Sequence, residues 1–277
     1  MKNLFLLALL GTSSLATAQT PAARLMPDGS KDMYAGIGIT SAPRYRGSDR
    51  QETDPVALVQ VQWSNGIFVS GLSAGMHLSA SPTLEFGPLL AIEPGRNASG
   101  AQKLSGIGGV GGVGIAAPGA DLQQRPRFTD IDSALQGGAF LNHYFDESLR
   151  LTSSVLYGAG NDRNGLLLNA GIQKFIQAAA HHAVTLSAGA TWANRRYTQD
   201  YFGVAPVPGA APDGLSYRPS SGIRDIQLTV NWNWELSNLW LLTSQLSVSR
   251  LMGPAADSPL TDRRNNATVR TGLVYRF

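Results

Sequence analysis

The stretch that decides the fold is residues 225–235, Asp-Ile-Gln-Leu-Thr-Val-Asn-Trp-Asn-Trp-Glu. Apolar and polar residues alternate along it, which is the two-residue period of a β-strand with two different faces. The apolar face carries Ile226, Leu228, Val230, Trp232 and Trp234. The opposite face carries acids, amides and a threonine. A strand of this kind suits the wall of a membrane barrel, which has lipid outside and water inside.

The same alternation recurs along the chain. Residues 184–192 alternate upstream, and residues 240–249 alternate after a tight turn at 237–238. Three tryptophans lie close to this turn in sequence: Trp232, Trp234 and Trp240. Their grouping is typical of an interfacial aromatic girdle. Seven further strand candidates are 33–42, 55–64, 66–80, 83–93, 132–145, 149–160 and 165–177.

The final residues form another two-faced strand. Phe277, Tyr275 and Leu273 share an apolar face, while Arg276 and Gly272 lie on the other. An aromatic terminal residue with a second aromatic two positions earlier resembles the signal that the bacterial barrel-assembly machinery recognises. We therefore predict an all-β protein, an antiparallel transmembrane β-barrel of a Gram-negative outer membrane.

The number of strands must be even if both ends of the barrel sequence lie on the periplasmic side. The patterns above supply eleven strands, and the Gly-rich run 106–115 adds a twelfth. Twelve strands are therefore predicted, and ten strands with 94–131 as one outer loop is the alternative. Twelve strands place the tight turns 146–148, 178–182 and 237–238 in the periplasm and the long connections 195–221 and 252–264 outside.

The first residues resemble an export signal. Lys2 precedes an apolar run at 4–10, and Ala16-Thr17-Ala18 supplies a small-x-small cleavage site. We therefore expect cleavage before Gln19 and export to the outer membrane. The predicted segments are a signal peptide at 1–18, a short periplasmic segment at 19–31 and the barrel at 32–277.

Composition excludes several other classes of protein. The chain has no cysteine, so it has neither disulfides nor thiolate metal sites. No stretch of roughly 18 apolar residues predicts a transmembrane helix after the leader. The net charge of +3 is too small to indicate a nucleic-acid partner.

No motif in the sequence indicates catalysis or a cofactor. Gly106-x-Gly108-x-x-Gly111 matches a dinucleotide fingerprint but lacks the strand and helix that this motif needs. None of the four histidines lies in a nucleophile motif. Asp130-x-Asp132 lacks the ligand spacing of a calcium loop. We therefore predict no enzyme activity and no catalytic, cofactor-binding or metal-binding residues.

Short motifs in a fixed order carry a family resemblance. The first set is Thr191-Trp192-Ala193-Asn194, Arg196-Tyr197 and Tyr201-Phe202-Gly203-Val204. The later set is Gly214-Leu215-x-Tyr217, Gly222-Ile223-Arg224-Asp225, Ser249-Arg250-Leu251, Asp257-Ser258-Pro259-Leu260 and Gly272-Leu273-x-Tyr275-Arg276-Phe277. Together they resemble the MipA/OmpV family of outer-membrane proteins. The resemblance covers nearly the whole mature chain and is closest over 185–277.

The resemblance implies a scaffold rather than a catalyst. Its implied partners are a membrane-bound lytic transglycosylase and a bifunctional murein synthase, so that the protein links peptidoglycan cleavage to synthesis in cell-wall assembly. The family-like loop residues are Tyr197, Tyr201, Phe202, Gly203, Asp257, Ser258 and Pro259. Aromatic residues and glycine in a long loop favour packing into the barrel mouth without a ligand.

Two surfaces remain for partners. A protein interface needs about 800 Å² per partner, and the periplasmic turns are short, so the unstructured-looking segment 20–31 is expected to contribute. Four loop arginines are candidate contacts for lipopolysaccharide phosphates: Arg195, Arg196, Arg263 and Arg264. A narrow pore for small solutes and a surface adhesin or receptor are the alternative functions.

Overall fold

The structure, a computed structural model, describes residues 25–97, 100, 102–103, 128–205 and 216–277. The predicted signal peptide and the Gly-rich run 106–115 lie outside these residues. The strands are β1 (Tyr34–Pro43), β2 (Gln51–Gln62), β3 (Ile67–Ser70), β4 (Ser73–Met76), β5 (Leu78–Ser81), β6 (Leu84–Glu93), β7 (Gly95–Arg96), β8 (Gln102–Lys103), β9 (Ala134–Tyr144), β10 (Leu149–Ala159), β11 (Gly165–Ala179), β12 (His182–Ala193), β13 (Gly222–Glu235), β14 (Trp240–Leu251) and β15 (Asn265–Arg276). The helices are α1 (Arg195–Phe202) and α2 (Gly253–Ala256).

The strands close into an antiparallel barrel. Each wall strand pairs with its neighbours in the chain, and β15 returns to pair with β1 from Tyr34 opposite Arg276 onward. β4 and β5 are two parts of one wall strand, interrupted at His77, because both pair with β6. The short β7–β8 hairpin stands outside this wall. The wall formed by the described residues therefore has twelve strands, as predicted.

The segments that form the twelve strands differ from those predicted. The candidate 66–80 is two wall strands rather than one, because the chain reverses at Gly71, which has a φ of +54°. The even count therefore does not need a strand at 106–115. The described residues of 94–131 lie between β6 and β9 at the long-loop end, and the alternative count of ten strands was wrong.

The two faces of the wall differ as the sequence indicated. On β13, Leu228 is 64% exposed on the outside, whereas Thr229 is 8% exposed in the lumen. Aromatic side chains are grouped on the outer surface near the turn at 236–239, where the Trp232 and Trp234 rings stack with their centroids 6.0 Å apart. Val274 breaks the pattern of β15 because it faces inward and is fully buried against other apolar side chains.

The two ends of the barrel are unlike. The tight turns 146–148, 178–182 and 237–238 lie at the same end as Phe277, and the connections 195–221 and 252–264 lie at the opposite end. Barrels of this class carry short turns toward the periplasm and long loops outward. None of the helices in the described residues is long and apolar enough to cross a membrane.

Candidate functional site

A segment of the chain fills the lumen at the short-turn end. We call residues 25–32 the plug. The guanidinium of Arg150 donates to the carbonyls of Leu25 at 2.9 Å and Met26 at 2.6 Å. Asp28 accepts from the Gln60 amide at 3.0 Å and from the Tyr34 hydroxyl at 3.0 Å. These anchors lie on β1, β2 and β10, so the plug is held from different parts of the wall.

Further anchors fix the middle and end of the plug. The Thr185 hydroxyl donates to the carbonyl of Gly29 at 3.0 Å. Asp32 accepts from Asn233 and from Arg276, each at 3.1 Å. The segment 20–31 was predicted to be unstructured, and this is wrong for its described part. Polar wall side chains satisfy the plug's backbone carbonyls, and this compensates for burying them.

A buried polar cluster fills the lumen beside the plug. His77 Nδ1 lies 2.6 Å from Glu85, which also accepts from Asn142 at 2.9 Å and from Tyr144 at 3.0 Å. Tyr144 in turn accepts from Arg150 at 3.0 Å, which joins this cluster to the plug. These contacts satisfy the carboxylate, so the cluster is suited to closing the lumen.

Helix α1 fills the other end of the lumen. Asn194 caps the helix by accepting from the Tyr197 backbone N–H at 2.9 Å. The buried face carries Tyr197, Tyr201 and Phe202, and the two tyrosine rings stack with centroids 4.3 Å apart. Ser258 donates to the Phe202 carbonyl at 2.6 Å, which ties α1 to the next loop. The aromatic loop therefore packs into the barrel mouth, as its composition favoured.

A charged network lies directly under α1, and we call it the mouth cluster. The Tyr197 hydroxyl donates to Glu93 at 2.8 Å and accepts from Arg46 at 2.7 Å and Arg224 at 2.8 Å. Arg224 also donates to Asp225 at 2.5 Å. Burial raises the pKa of Tyr197, so this phenol stays protonated and can donate to the carboxylate.

A β-bulge places two adjacent residues of β13 in the mouth cluster. The register with β12 shifts between Thr191, opposite Asp225, and Trp192, opposite Ile223. Arg224 is therefore the extra residue, and both Arg224 and Asp225 are buried although neighbours on a regular strand would face opposite ways. The even alternation of 225–235 gives no sign of this bulge.

A chamber of about 660 Å³, lined by both polar and apolar residues, lies between the plug and the mouth cluster. Thr40 lies opposite Asp54 on β2 and opposite Arg270 on β15, so these three residues form one row across the chamber wall. Hydroxyls and amides line much of the remainder: Gln227, Asn231, Thr243, Gln245, Ser247, Ser249, Asn266 and Thr268. This lining is suited to a polar guest.

The predicted site residues fall in three places. Phe277, Tyr275 and Leu273 lie on the outer surface, each at least 41% exposed. The mouth holds Tyr197, Tyr201, Phe202, Gly203 and Ser258, while Pro259 and Asp257 are exposed in the loop at the same end. Arg195, Arg196, Arg263 and Arg264 are also exposed at the loop end, where Arg264 contacts Asp257 at 3.0 Å. Their proposed contacts with lipid and assembly factors stay predictions.

Sequence reasoning missed the residues that fill the lumen. Arg150 holds the plug, and Glu93 and Arg46 belong to the mouth cluster, yet the sequence patterns singled out none of these three residues. The available signal was their charge, because ionisable residues within or beside membrane-spanning strands are costly unless they face an interior with partners.

Among the described residues, no group of three or more His, Asp or Glu side chains is placed to hold a metal ion.

The closed barrel, its apolar outer band and its filled lumen define a β-barrel protein of the bacterial outer membrane. The sequence model of one family, described as MltA-interacting protein MipA, matches residues 35–277. The chain therefore belongs to the MipA family, which confirms the resemblance seen in the sequence.

Solved structures of outer-membrane barrels are only distantly similar. A KdgM porin is 10% identical with a TM-score of 0.42, covering 88% of this chain and 98% of that one. A NanC porin is 8% identical with a TM-score of 0.45, covering 87% and 100%. The COG4313 channel from Pseudomonas putida F1 is 13% identical with a TM-score of 0.43, covering 93% and 98%. The comparison with curated proteins gave no match.

Proposed function

We propose that this protein is a non-enzymatic scaffold of the outer membrane that binds a membrane-bound lytic transglycosylase at its periplasmic end. The observation that carries the proposal is the closure of this end by the plug, which Arg150, Gln60 and Thr185 hold in place. An end closed by ordered backbone offers a continuous surface to a partner. The family description, an MltA-interacting protein, supports the class of partner.

The short turns and the plug together supply this surface. Leu236 and Leu239 are 47% and 50% exposed at one turn. Lys31 is exposed at the end of the plug, with its ammonium 5.3 Å from the Phe175 ring. Glu147 is exposed at another turn. Apolar and charged groups on one end can approach the roughly 800 Å² that a standard interface needs from each partner.

Further partners belong to the same proposal. A bifunctional murein synthase is the second periplasmic partner, on the strength of the family resemblance alone. At the loop end, Arg195, Arg196, Arg263 and Arg264 are proposed to contact lipopolysaccharide phosphates, because guanidinium groups bind phosphate in two-pronged geometry. The outer-face residues Phe277, Tyr275 and Leu273 are proposed to contact the barrel-assembly machinery.

The polar cluster around His77 does not favour an enzyme. The His77 ring packs against Phe68 at 4.4 Å and Phe140 at 5.4 Å, and its carboxylate neighbour Glu85 is 1% exposed. A histidine that activates a nucleophile needs a path to substrate. We assign this cluster to the closure of the lumen and propose no catalytic residue.

A narrow pore is the second candidate, because the chamber provides about 660 Å³ of space inside the barrel and many of its lining side chains are polar. A solute passing through would have to displace both the plug and the mouth cluster. A surface adhesin or receptor would use the loops at the mouth, where α1 and its neighbour pack inward. The scaffold therefore accounts best for a lumen that is closed at one end by the plug and at the other by the mouth cluster.

The test is capture of a purified lytic transglycosylase by the purified barrel in detergent. We expect the paired change Lys31→Glu and Leu239→Asp to weaken capture at least about tenfold, since interface centres lose that much when an apolar anchor is replaced. Arg195→Glu with Arg196→Glu, at the opposite end, is the matched control and should leave capture unchanged. Equal capture by all three proteins would contradict the proposed surface.

A further inference from the structure

The barrel wall contains a seam beside β2. This strand pairs with β1 along nearly its whole length, but it pairs with β3 only from Gln60 to Gln62. One more hydrogen bond follows, from the Gly71 N–H to the Val59 carbonyl at 2.9 Å. Among the residues that the structure describes, 51–58 therefore have no strand partner on the side away from β1.

The seam follows from a short hairpin and a proline. β3 and β4 have four residues each and turn back at Gly71, where a Cβ atom would meet no described atom within 4 Å. Along a strand, the backbone N–H and C=O groups of successive residues point alternately toward the two neighbouring strands. The backbone groups of Pro55 therefore point to the same side as those of Val59, away from β1. Proline is confined to sheet edges because it has no N–H to donate.

The chamber reaches this seam. Its lining includes Ala57 and Val59, which lie on the lipid side of β2, together with the hairpin residues 70–73 and lumen residues such as Leu58. Within the described residues, the chamber therefore extends from the lumen to the unpaired edge of β2. Backbone groups at a strand edge are costly in hydrocarbon unless protein or a polar guest covers them.

Two residues of opposite charge, Arg270 and Asp54, face the chamber. Most of the neighbouring charges are paired, as Arg44 is with Glu52 at 3.3 Å. Arg270 and Asp54 have no hydrogen bond or ion pair within the described residues, and Thr40 stands between them in the row across β2, β1 and β15. Two strand spacings separate their backbones by about 10 Å. Charges in such surroundings need counter-charges.

We propose that the chamber binds the zwitterionic headgroup of a phospholipid that enters through the seam. The phosphate binds Arg270, the ammonium binds Asp54, and the Thr40 hydroxyl donates to a phosphate oxygen. The hydrocarbon chains leave the barrel between Ala57 and Leu72, where apolar side chains border the bilayer. A zwitterionic headgroup carries one charge to match each of the two side chains. The hydrocarbon chains of the same phospholipid fit a seam that faces the bilayer.

Native mass spectrometry of the full chain in detergent, titrated with dioleoylphosphatidylethanolamine or dioleoylphosphatidylglycerol, tests the headgroup. We expect retention of the zwitterionic lipid and at least about tenfold weaker retention in Arg270→Gln, since a charge-assisted hydrogen bond is lost. Asp54→Asn should abolish the preference over the anionic lipid. Arg250→Gln, an exposed arginine on β14, is the control. Should Arg270→Gln not fold, Arg270→Lys and Asp54→Asn carry the test.

Two further variants test the route. Ala57→Trp should obstruct the seam and reduce lipid retention, whereas Ala139→Trp, at another small outward position on the wall, should not. Soluble phosphoethanolamine should bind far more weakly than the lipid. Equal retention of both lipids by the native chain and the Asp54 and Arg270 variants would overturn the headgroup assignment. Soluble phosphoethanolamine that binds as well as the lipid would overturn lateral entry.

Discussion

The two ends of the lumen are sealed by different chemistry. The plug is a backbone segment whose carbonyls accept from wall side chains, chiefly from Arg150. The mouth cluster is a side-chain network in which Tyr197 joins Glu93 to two guanidinium groups. A backbone seal depends on a few donors that hold a whole segment. A charged seal depends on balance, so the loss of one member leaves others buried without a counter-charge.

Removing the main donor of the plug should have the largest effect. Arg150→Met removes the buried charged donor to the carbonyls of Leu25 and Met26 and to the phenol of Tyr144. We expect this change to lower the free energy of unfolding by about 3–5 kcal/mol. Urea unfolding in vesicles measures the loss. Limited proteolysis should cut the plug in this variant before the barrel unfolds.

The control is Arg250→Met, which removes an exposed arginine and should change stability by less than about 0.5 kcal/mol. If Arg150→Met were as stable and as resistant to protease as the native chain, the plug would not depend on this donor.

Unbalancing the mouth cluster should have a smaller effect. Glu93→Gln leaves Arg46 without its carboxylate partner and gives the Tyr197 hydroxyl an uncharged acceptor, whereas Arg224 keeps Asp225, and we expect a loss of about 2–3 kcal/mol. This expected loss in the free energy of unfolding is smaller than that for Arg150→Met, because the Arg46 side chain is 39% exposed and solvent screens its charge.

A double-mutant cycle sharpens the contrast between the two seals. Adding Arg46→Met to Glu93→Gln should cost less than the sum of the two single changes, because the second removes an unpaired charge. Strict additivity in urea unfolding would mean that the mouth cluster does not act as a balanced network.

The smallest expected effect lies in the exposed turn beside the plug. Hydrogen bonds from the Ser148 hydroxyl and backbone lower the pKa of Asp146 to about 2. A lowered pKa in the folded state stabilises the fold above the unfolded pKa of about 4, and this contribution is lost as the pH falls through about 2. Asp146→Asn should flatten the pH dependence of unfolding in this window, and an unaltered profile would exclude the turn as its source.

The wall could be predicted from the sequence more fully than the lumen. Alternation at 225–235 and at the final strand fixes which side chains meet lipid, since the period of two leaves one choice of face. The same rule failed at Arg224, where a bulge turns a neighbouring residue inward, and at 66–80, where Gly71 divides one apparent strand into two. Neither feature changes the hydrophobic period enough to be recognised.

The seals were less predictable because their contacts join distant parts of the chain. Family-like motifs pointed to the aromatic face of α1, and composition predicted its packing into the mouth. The partners of Tyr197, such as Glu93 at a separation of 104 residues, belong to no pattern of spacing. The plug looked unstructured because its order comes from wall donors rather than from its own sequence.

The hydrogen bond between Asp32 and Arg276 has a consequence for the order of folding. These residues are 244 positions apart, and one belongs to the plug while the other lies on the last wall strand. The Asp32 anchor therefore cannot form until β15 is in place, and among the described strands the pairing of β15 with β1 has the longest range in sequence. Topology of this kind slows folding, since the entropy of closing the loop is lost before the contacts form. Until that final step the end of the plug lacks its bond to Arg276, so any factor that assists assembly meets a barrel whose lumen is not yet fully closed.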